Sequence, residues 1–224
     1  MVNGLNCWNC LIGLNRSQKA GGMDLITFDQ NYHKQGFKVI AGVDEAGRGP
    51  WAGPVVAAAV IFPQSIQIDG IRDSKKLSAS KREILFENIL NNAISVGIGI
   101  VGHEIIDSVN ILQATFLSMK EALEKAGNTP DLVLVDGNFK IPGLDLRQFC
   151  VVGGDDKSLS IAAASIIAKV TRDRLMTDCA KEYPEYGFQN HKGYGTKEHQ
   201  EALRRLGPCP IHRKSYEPVR ECLR

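Results

Sequence analysis

The chain has 224 residues, with 27 Lys or Arg against 25 Asp or Glu and 43% hydrophobic residues. That length suits one domain with a real hydrophobic core, which needs no disulfide staples. The six cysteines, at 7, 10, 150, 179, 209 and 222, lack the spacing of a secreted scaffold. No apolar stretch of about 18 residues is present and the amino end lacks a secretory signal, so no membrane association and a cytoplasmic location are expected.

Residues 1–36 show no sustained hydrophobic period and read as a loosely organised leader ahead of a domain spanning 37–224. Its Cys7-Trp8-Asn9-Cys10 is a lone C-x-x-C without the second pair a zinc ribbon needs. Residues 37–44, 54–62 and 94–101 are apolar and partly β-branched, which predicts three strands, and short connections predict an antiparallel start. Ser80-Lys81-Arg82-Glu83 has capping-box form and opens a helix to about Asn91. Ile105, Val109, Leu112, Phe116, Met119 and Leu123 recur every three or four residues, the single stripe of one long helix that Gly127 ends. The run Leu132-Val133-Leu134-Val135 predicts a buried central strand ending in Asp136-Gly137. A short strand at 149–152 then leads through Gly153-Gly154-Asp155-Asp156 into an alanine-rich helix over 161–169, small enough to lie close to the sheet. The last predicted helix runs from the N-cap Thr196 to Gly207.

Three strand-to-loop junctions end in acids: Asp44-Glu45, Asp136 and Asp155-Asp156. An isolated Asp-Glu pair reads more readily as a solvated turn than as a site. Three such junctions are another matter: if the first and fourth strands are neighbours, Asp44 and Asp136 reach a common ion, and Asp155 completes the cluster. Clustered carboxylates repel one another unless cations or protons lie between them, and oxygen ligands suit hard divalent ions. Two such ions clamp the attacking and leaving oxygens of an in-line phosphoryl displacement, so the pattern points to phosphodiester hydrolysis.

The ordered motifs Asp44-Glu45-Ala46-Gly47-Arg48-Gly49-Pro50, Asp73-Ser74-Lys75-Lys76-Leu77, Val135-Asp136-Gly137, Ala163-Ala164-Ser165-Ile166-Ile167-Ala168-Lys169-Val170 and His191-Lys192-Gly193-Tyr194-Gly195-Thr196 resemble those of bacterial ribonuclease HII, the type 2 ribonuclease H. The resemblance spans about residues 37–220. It implies a ribonuclease H-like α/β fold, a central mixed sheet flanked by helices with a C-terminal helical extension. It also implies cleavage of the RNA strand of RNA·DNA hybrids and at single ribonucleotides embedded in duplex DNA, leaving 5′-phosphate and 3′-hydroxyl ends. Asp44, Glu45, Asp136 and Asp155 would be the catalytic acids, holding Mg²⁺ or Mn²⁺ in a two-ion site. Asp155 is selected by its place ten residues before Ser165, with Asp156 as its runner-up. Gly47, Arg48 and Gly49 would read the ribonucleotide, Tyr194 would pack on the sugar at the RNA-to-DNA junction, and Lys75 and Lys169 would contact phosphate.

The partners implied are RNA·DNA hybrid and ribonucleotide-containing duplex DNA, with a replication clamp as a further candidate and a monomer as the acting form. Residues 157–224 carry 13 Lys or Arg against 8 Asp or Glu, while 1–156 carry 14 against 17, so the basic part is the C-terminal third. That is the polarity of a nucleic-acid-facing segment, with Lys192 and Arg213 as phosphate contacts. Arg172-Asp173 reads as a helix ion pair, and His191 and His199 stay outside the catalytic set because neither has a ligand partner at metal spacing. Gly47, Gly49 and Ala52 satisfy a relaxed dinucleotide-binding fingerprint, but a strand follows them where that motif requires a helix. Two alternatives share the fold: a type 3 ribonuclease H, for which the leader is too short, and a non-catalytic nucleic-acid-binding module, in which clustered acids would repel phosphate.

Overall fold

The structure, a computed structural model, describes residues 25–66, 68–71 and 74–223; Asp73 and the Cys7/Cys10 pair lie outside them. Strands β1 (Ile40–Ala46), β2 (Val55–Ile61), β3 (Ser95–Val101), β4 (Leu132–Asp136) and β5 (Gln148–Val151) form one sheet in the order β3-β2-β1-β4-β5. The first three are antiparallel, as their connections predict, and β4 and β5 continue the sheet parallel to β1.

Helices cover both faces, which is why β1, β2 and β4 are apolar throughout rather than alternating. Val56, Ala58 and Val60 of β2 pack against α5 (Leu159–Glu182) and α2 (Ala79–Asn92), while Ala57, Ala59 and Ile61 pack against α4 (Ile111–Ala126). The period of two is the pleat itself. The glycines of β3 serve that packing: a Cβ at Gly97 would lie 1.9 Å from the Ala122 carbonyl oxygen, and one at Gly99 1.9 Å from that of Ser118. On the other face, the alanine-rich start of α5 lies directly over β1 and β2 and brings the loop before it to the carboxyl ends of the central strands.

Four local readings need correction. The long helix is two, α3 (His103–Val109) and α4, separated by Asn110 at φ 73°. Its Oδ1 accepts from the amides of Leu112 (3.0 Å) and Gln113 (3.1 Å), capping α4, and Ile105 remains 45% exposed off the core stripe. The helix expected from Ser80 is capped instead by Ser78, whose Oγ accepts from the Lys81 amide. The helix expected over 161–169 runs on to Glu182, because Met176 and Ala180 bury a second apolar face beyond the sheet. Finally, residues 25–34 of the supposed leader form helix α1 (Leu25–Lys34). Phe28 and Tyr32 pack against Ile40, Leu132 and Ile161, and Asp29 accepts from the Ser158 hydroxyl (2.6 Å) and the Ser160 amide (2.9 Å).

The C-terminal extension holds α6 (Phe188–His191), α7 (Lys197–Leu206) and α8 (Glu217–Glu221). Phe188, Tyr186, Ala202 and Cys209 share a cluster with Met176 of α5 and Ala52, so the extension is fastened to the loop leaving β1.

Candidate active site

Val43 lies opposite Val135 in the parallel β1–β4 ladder, which carries Asp44 and Asp136 out at one level on neighbouring strand ends. Asp44 is buried, at 4% exposure. Oδ1 of Asp136 accepts from the Gly154 amide at 2.7 Å and so ties the end of β4 to the 3₁₀ turn Gly154–Asp156. That turn separates the tandem acids by burial: Asp155 is buried and Asp156 is exposed. Around the rim, Arg48 Nη1 donates to Glu45 Oε1 (3.2 Å) and Lys75 Nζ to Asp155 Oδ2 (3.3 Å).

Burial pushes the Asp44 carboxyl well above the usual carboxylate range, and the charges of Glu45, Asp136 and Asp155 push it further. Burial likewise raises Glu45, against the pull of Arg48 and with the repulsion of Asp136. Four acids therefore share one field, and a cation among them would relieve it. Among the described residues no group of three or more His, Cys, Asp or Glu side chains is drawn together closely enough to hold a metal ion unaided. An open set of carboxylates suits Mg²⁺, which keeps waters and takes part of its shell from substrate phosphates rather than from an all-protein site.

Beside the acids stands the turn Gly47-Arg48-Gly49. Gly47 holds φ 99°, with the Arg172 side chain packed where a Cβ would be. Gly49 faces Tyr194: a Cβ there would meet only Tyr194 Cε1, at 3.8 Å. The Tyr194 ring is 40% exposed, with Lys169 Nζ 5.6 Å and Arg172 Cζ 5.7 Å from its centroid. The structure thus brings the acids, the glycine turn, Lys75, Lys169 and Tyr194 to one end of the sheet. Lys169 also pairs with Asp173 at 2.8 Å, so its charge is already partly answered.

Two arginines are misread from sequence. Arg172 makes no pair with Asp173; it is fully buried and donates to the carbonyls of Pro54 (3.0 Å), Lys192 (3.0 Å) and Ala52 (3.1 Å). Burial, and then the charge of Arg213, lower it to about 10. Arg213 is fully buried as well and cannot be a phosphate contact. Nor is Lys192 open to solvent contact alone, since its Nζ donates to Thr177 Oγ1 (2.9 Å) and the Gln189 carbonyl (2.6 Å). Nothing in local sequence separates a buried arginine from a surface one.

His199 and His212 are tied into the fold by a chain of hydrogen bonds. His212 accepts the Cys209 amide at Nδ1 (3.0 Å) and donates from Nε2 to His199 Nε2 (3.0 Å), whose Nδ1 donates to the Tyr194 carbonyl (3.0 Å). This hydrogen-bond chain assigns both tautomers. Burial lowers both imidazoles to about 4 and keeps them neutral.

Comparison with known proteins gives a consistent result. The family model described as Ribonuclease HII matches residues 41–219. A ribonuclease HII of Endomicrobium trichonymphae is 54% identical over 200 residues, covering 89% of this chain and 95% of that protein. One from Geobacter metallireducens is 53% identical over 201 residues, covering 90% and 94%. Among solved structures, the ribonuclease H2 of Pyrococcus horikoshii OT3 superposes with TM-score 0.69 at 28% identity, over 82% of this chain and 96% of that one. A ribonuclease HIII solved with Mn²⁺ shares the fold, at TM-score 0.65 and 16% identity, but this chain covers only 69% of it. The ribonuclease H-like fold expected from the motifs is therefore the fold observed, and the type 3 alternative is set aside.

Proposed function

The chain belongs to the ribonuclease HII family and is a nuclease, and from that premise we propose that it hydrolyses the RNA strand of RNA·DNA hybrids and cuts at single ribonucleotides within duplex DNA. Products would carry 5′-phosphate and 3′-hydroxyl ends. The observation that supports this most is the grouping of Asp44, Glu45, Asp136 and Asp155 beside an open glycine turn and an exposed tyrosine.

Asp44, Glu45, Asp136 and Asp155 would hold two Mg²⁺ or Mn²⁺ ions. When bound, such ions activate water and stabilise charge on the attacking and leaving oxygens of the phosphodiester. The chain's own groups then divide the remaining work. The Gly154 amide fixes the rotamer of Asp136, and Arg48 holds Glu45 to the rim. The turn at Gly47-Arg48-Gly49 lets backbone amides approach a sugar closely enough to sense its 2′-hydroxyl, the group that separates RNA from DNA. Tyr194, seated by His199, offers its ring face to the adjoining sugar. Lys75 and Lys169 flank the acids as phosphate contacts, exchanging their present carboxylate partners for substrate. A monomer acting in the cytoplasm is part of the same proposal; none of the described helices is long and apolar enough to cross a membrane. A related archaeal ribonuclease HII, from Archaeoglobus fulgidus, was solved as a complex with PCNA, and a replication clamp is proposed as a partner here on that likeness.

The test is cleavage of a duplex containing one ribonucleotide, with Mg²⁺, with Mn²⁺ and with chelator. Metal-dependent cutting at the ribonucleotide is the expected result; cutting of all-DNA duplex at the same rate, or none with either ion, would overturn the reading.

A further inference from the structure

The glycine turn is gripped from behind by a residue more than 160 positions away in sequence. Arg213 follows α7 and is fully buried. Its Nη2 donates to the carbonyls of Gly47 (2.6 Å) and Pro54 (3.2 Å), its Nε to that of Gly53 (3.0 Å), and its Nη1 to that of Arg48 (3.0 Å) and to Tyr216 Oη (3.0 Å). Tyr216 completes the grip, donating its own hydroxyl to the Arg48 carbonyl at 2.5 Å. Among the described residues no carboxylate forms an ion pair with Arg213 or with the neighbouring Arg172. Burying two guanidiniums on neutral oxygen acceptors carries a heavy desolvation cost, and what the arrangement fixes is the direction of two peptide units.

In a trans peptide the carbonyl of one residue and the N–H of the next point opposite ways. The Gly47 carbonyl is drawn inward to Arg213, so the Arg48 N–H points outward. The Arg48 carbonyl is drawn inward to Arg213 and Tyr216, so the Gly49 N–H points outward too, on the side where Gly49 faces Tyr194. Neither amide has an acceptor among the described residues. Two adjacent donors thus stand open at the rim of the acid cluster, with a rigid fork behind them.

We propose that Arg213, assisted by Tyr216, is a positioning residue for ribonucleotide selection: it holds the Arg48 and Gly49 amides toward the 2′-hydroxyl of the substrate. This rests on the reading of the turn as the ribonucleotide contact. The planar fork is what the task needs, because it reaches several carbonyls at fixed angles, whereas a lysine offers one point charge.

The test compares wild type, Arg213→Lys and Tyr216→Phe. Each is measured for binding in Ca²⁺ to two duplexes of one sequence, one holding a single ribonucleotide and one all DNA, and for single-turnover cleavage in Mg²⁺. Tyr216→Phe removes the hydroxyl's two bonds, to Arg213 and to the Arg48 carbonyl, from a partly exposed side chain and should lower the preference for the ribonucleotide duplex by about three- to ten-fold, with the salt slope of binding unchanged. Arg213→Lys should lower it further, with both KM and kcat affected. A Tyr216→Phe protein that keeps the full preference overturns the proposal, whether or not Arg213→Lys folds. If wild type itself shows no preference, the underlying reading of the turn fails instead, so the two failures are distinguishable.

Discussion

Adding one methyl group to either glycine of the active-site turn should have opposite consequences. At Gly47, φ is 99°, and a Cβ would fall 2.1 Å from Arg172 Nε and 2.8 Å from the Pro54 carbonyl oxygen. A non-glycine residue in such a conformation costs roughly 1–3 kcal/mol. Displacing Arg172 also breaks its bond to Pro54, a charged buried bond worth about 1.5–3 kcal/mol. The combined loss, roughly 2.5–6 kcal/mol, is a large part of the ~5–15 kcal/mol that holds a domain together. At about 2–4 °C per kcal/mol for a chain this size, Gly47→Ala should melt on the order of 10 °C lower than wild type. At Gly49 the φ lies outside the left-handed range and the nearest atom to an added Cβ is 3.8 Å away, so stability should change by no more than about 0.5 kcal/mol. The methyl nevertheless occupies the gap between the turn and Tyr194, and single-turnover cleavage of a one-ribonucleotide duplex should fall by about ten-fold or more, or ~1.4 kcal/mol at the transition state. Thermal melts and cleavage on both variants make the comparison. A Gly49→Ala protein that melts as low as Gly47→Ala, or that cleaves at the wild-type rate, refutes the reasoning.

The acids and histidines yield three more expectations. Because burial and three neighbouring acids raise Asp44, its carboxyl destabilises the metal-free protein as pH rises toward and through its folded value; Asp44→Asn should therefore melt higher than wild type in chelator at neutral pH, and a lower melt would contradict the repulsion. Asp155→Asn should cripple cleavage far more than Asp156→Asn, since Asp155 is buried with its charge acting on Asp44 while Asp156 is exposed; matching mild losses in a turnover assay would make the pair a capping feature instead. His199 and His212, near 6.5 when unfolded and about 4 when folded, contribute stability fully above pH 6.5 and lose it as pH falls toward 4. One such group should remove roughly 2 kcal/mol of unfolding free energy between pH 7 and pH 5, the coupled pair not being counted twice. Urea unfolding at those two values measures it, and a His212→Gln variant as acid-sensitive as wild type would show that the buried chain is not responsible.

What was legible in the sequence was whatever is repeated along it. β1, β2 and β4 are buried on both faces, so their apolar runs announce themselves, and the acids that end them are visible as punctuation. The break at Asn110 is invisible to periodicity because the three-and-four spacing of apolar residues continues through it, while the cap that makes two helices depends on one side chain's geometry. Helix α1 escaped for the opposite reason: its contacts are with distant strands, and none of its residues is fully buried, so no local period marks it. Charge counting assigned Arg213 to the surface, since a sum over residues 157–224 cannot tell a solvated cation from one enclosed by five oxygen acceptors. In the site itself, the identity of the acids was readable and their support was not: the two arginines behind the turn join residues far apart in sequence, and the Gly154 amide on Asp136 and the histidine chain beneath Tyr194 depend on side-chain geometry that no spacing marks.

Asp136→Asn is the most direct probe of the carboxylate cluster as the seat of catalysis, because it removes one charge while nearly preserving volume and the acceptor for the Gly154 amide. Single-turnover cleavage of an RNA·DNA hybrid should be measured at saturating Mg²⁺ beside the melting temperature of the same preparation. Cleavage should collapse by about a hundred-fold or more while the protein melts no lower than wild type, as removal of a charged ligand from a two-ion site requires. Turnover at the wild-type rate in a folded Asp136→Asn protein would contradict it.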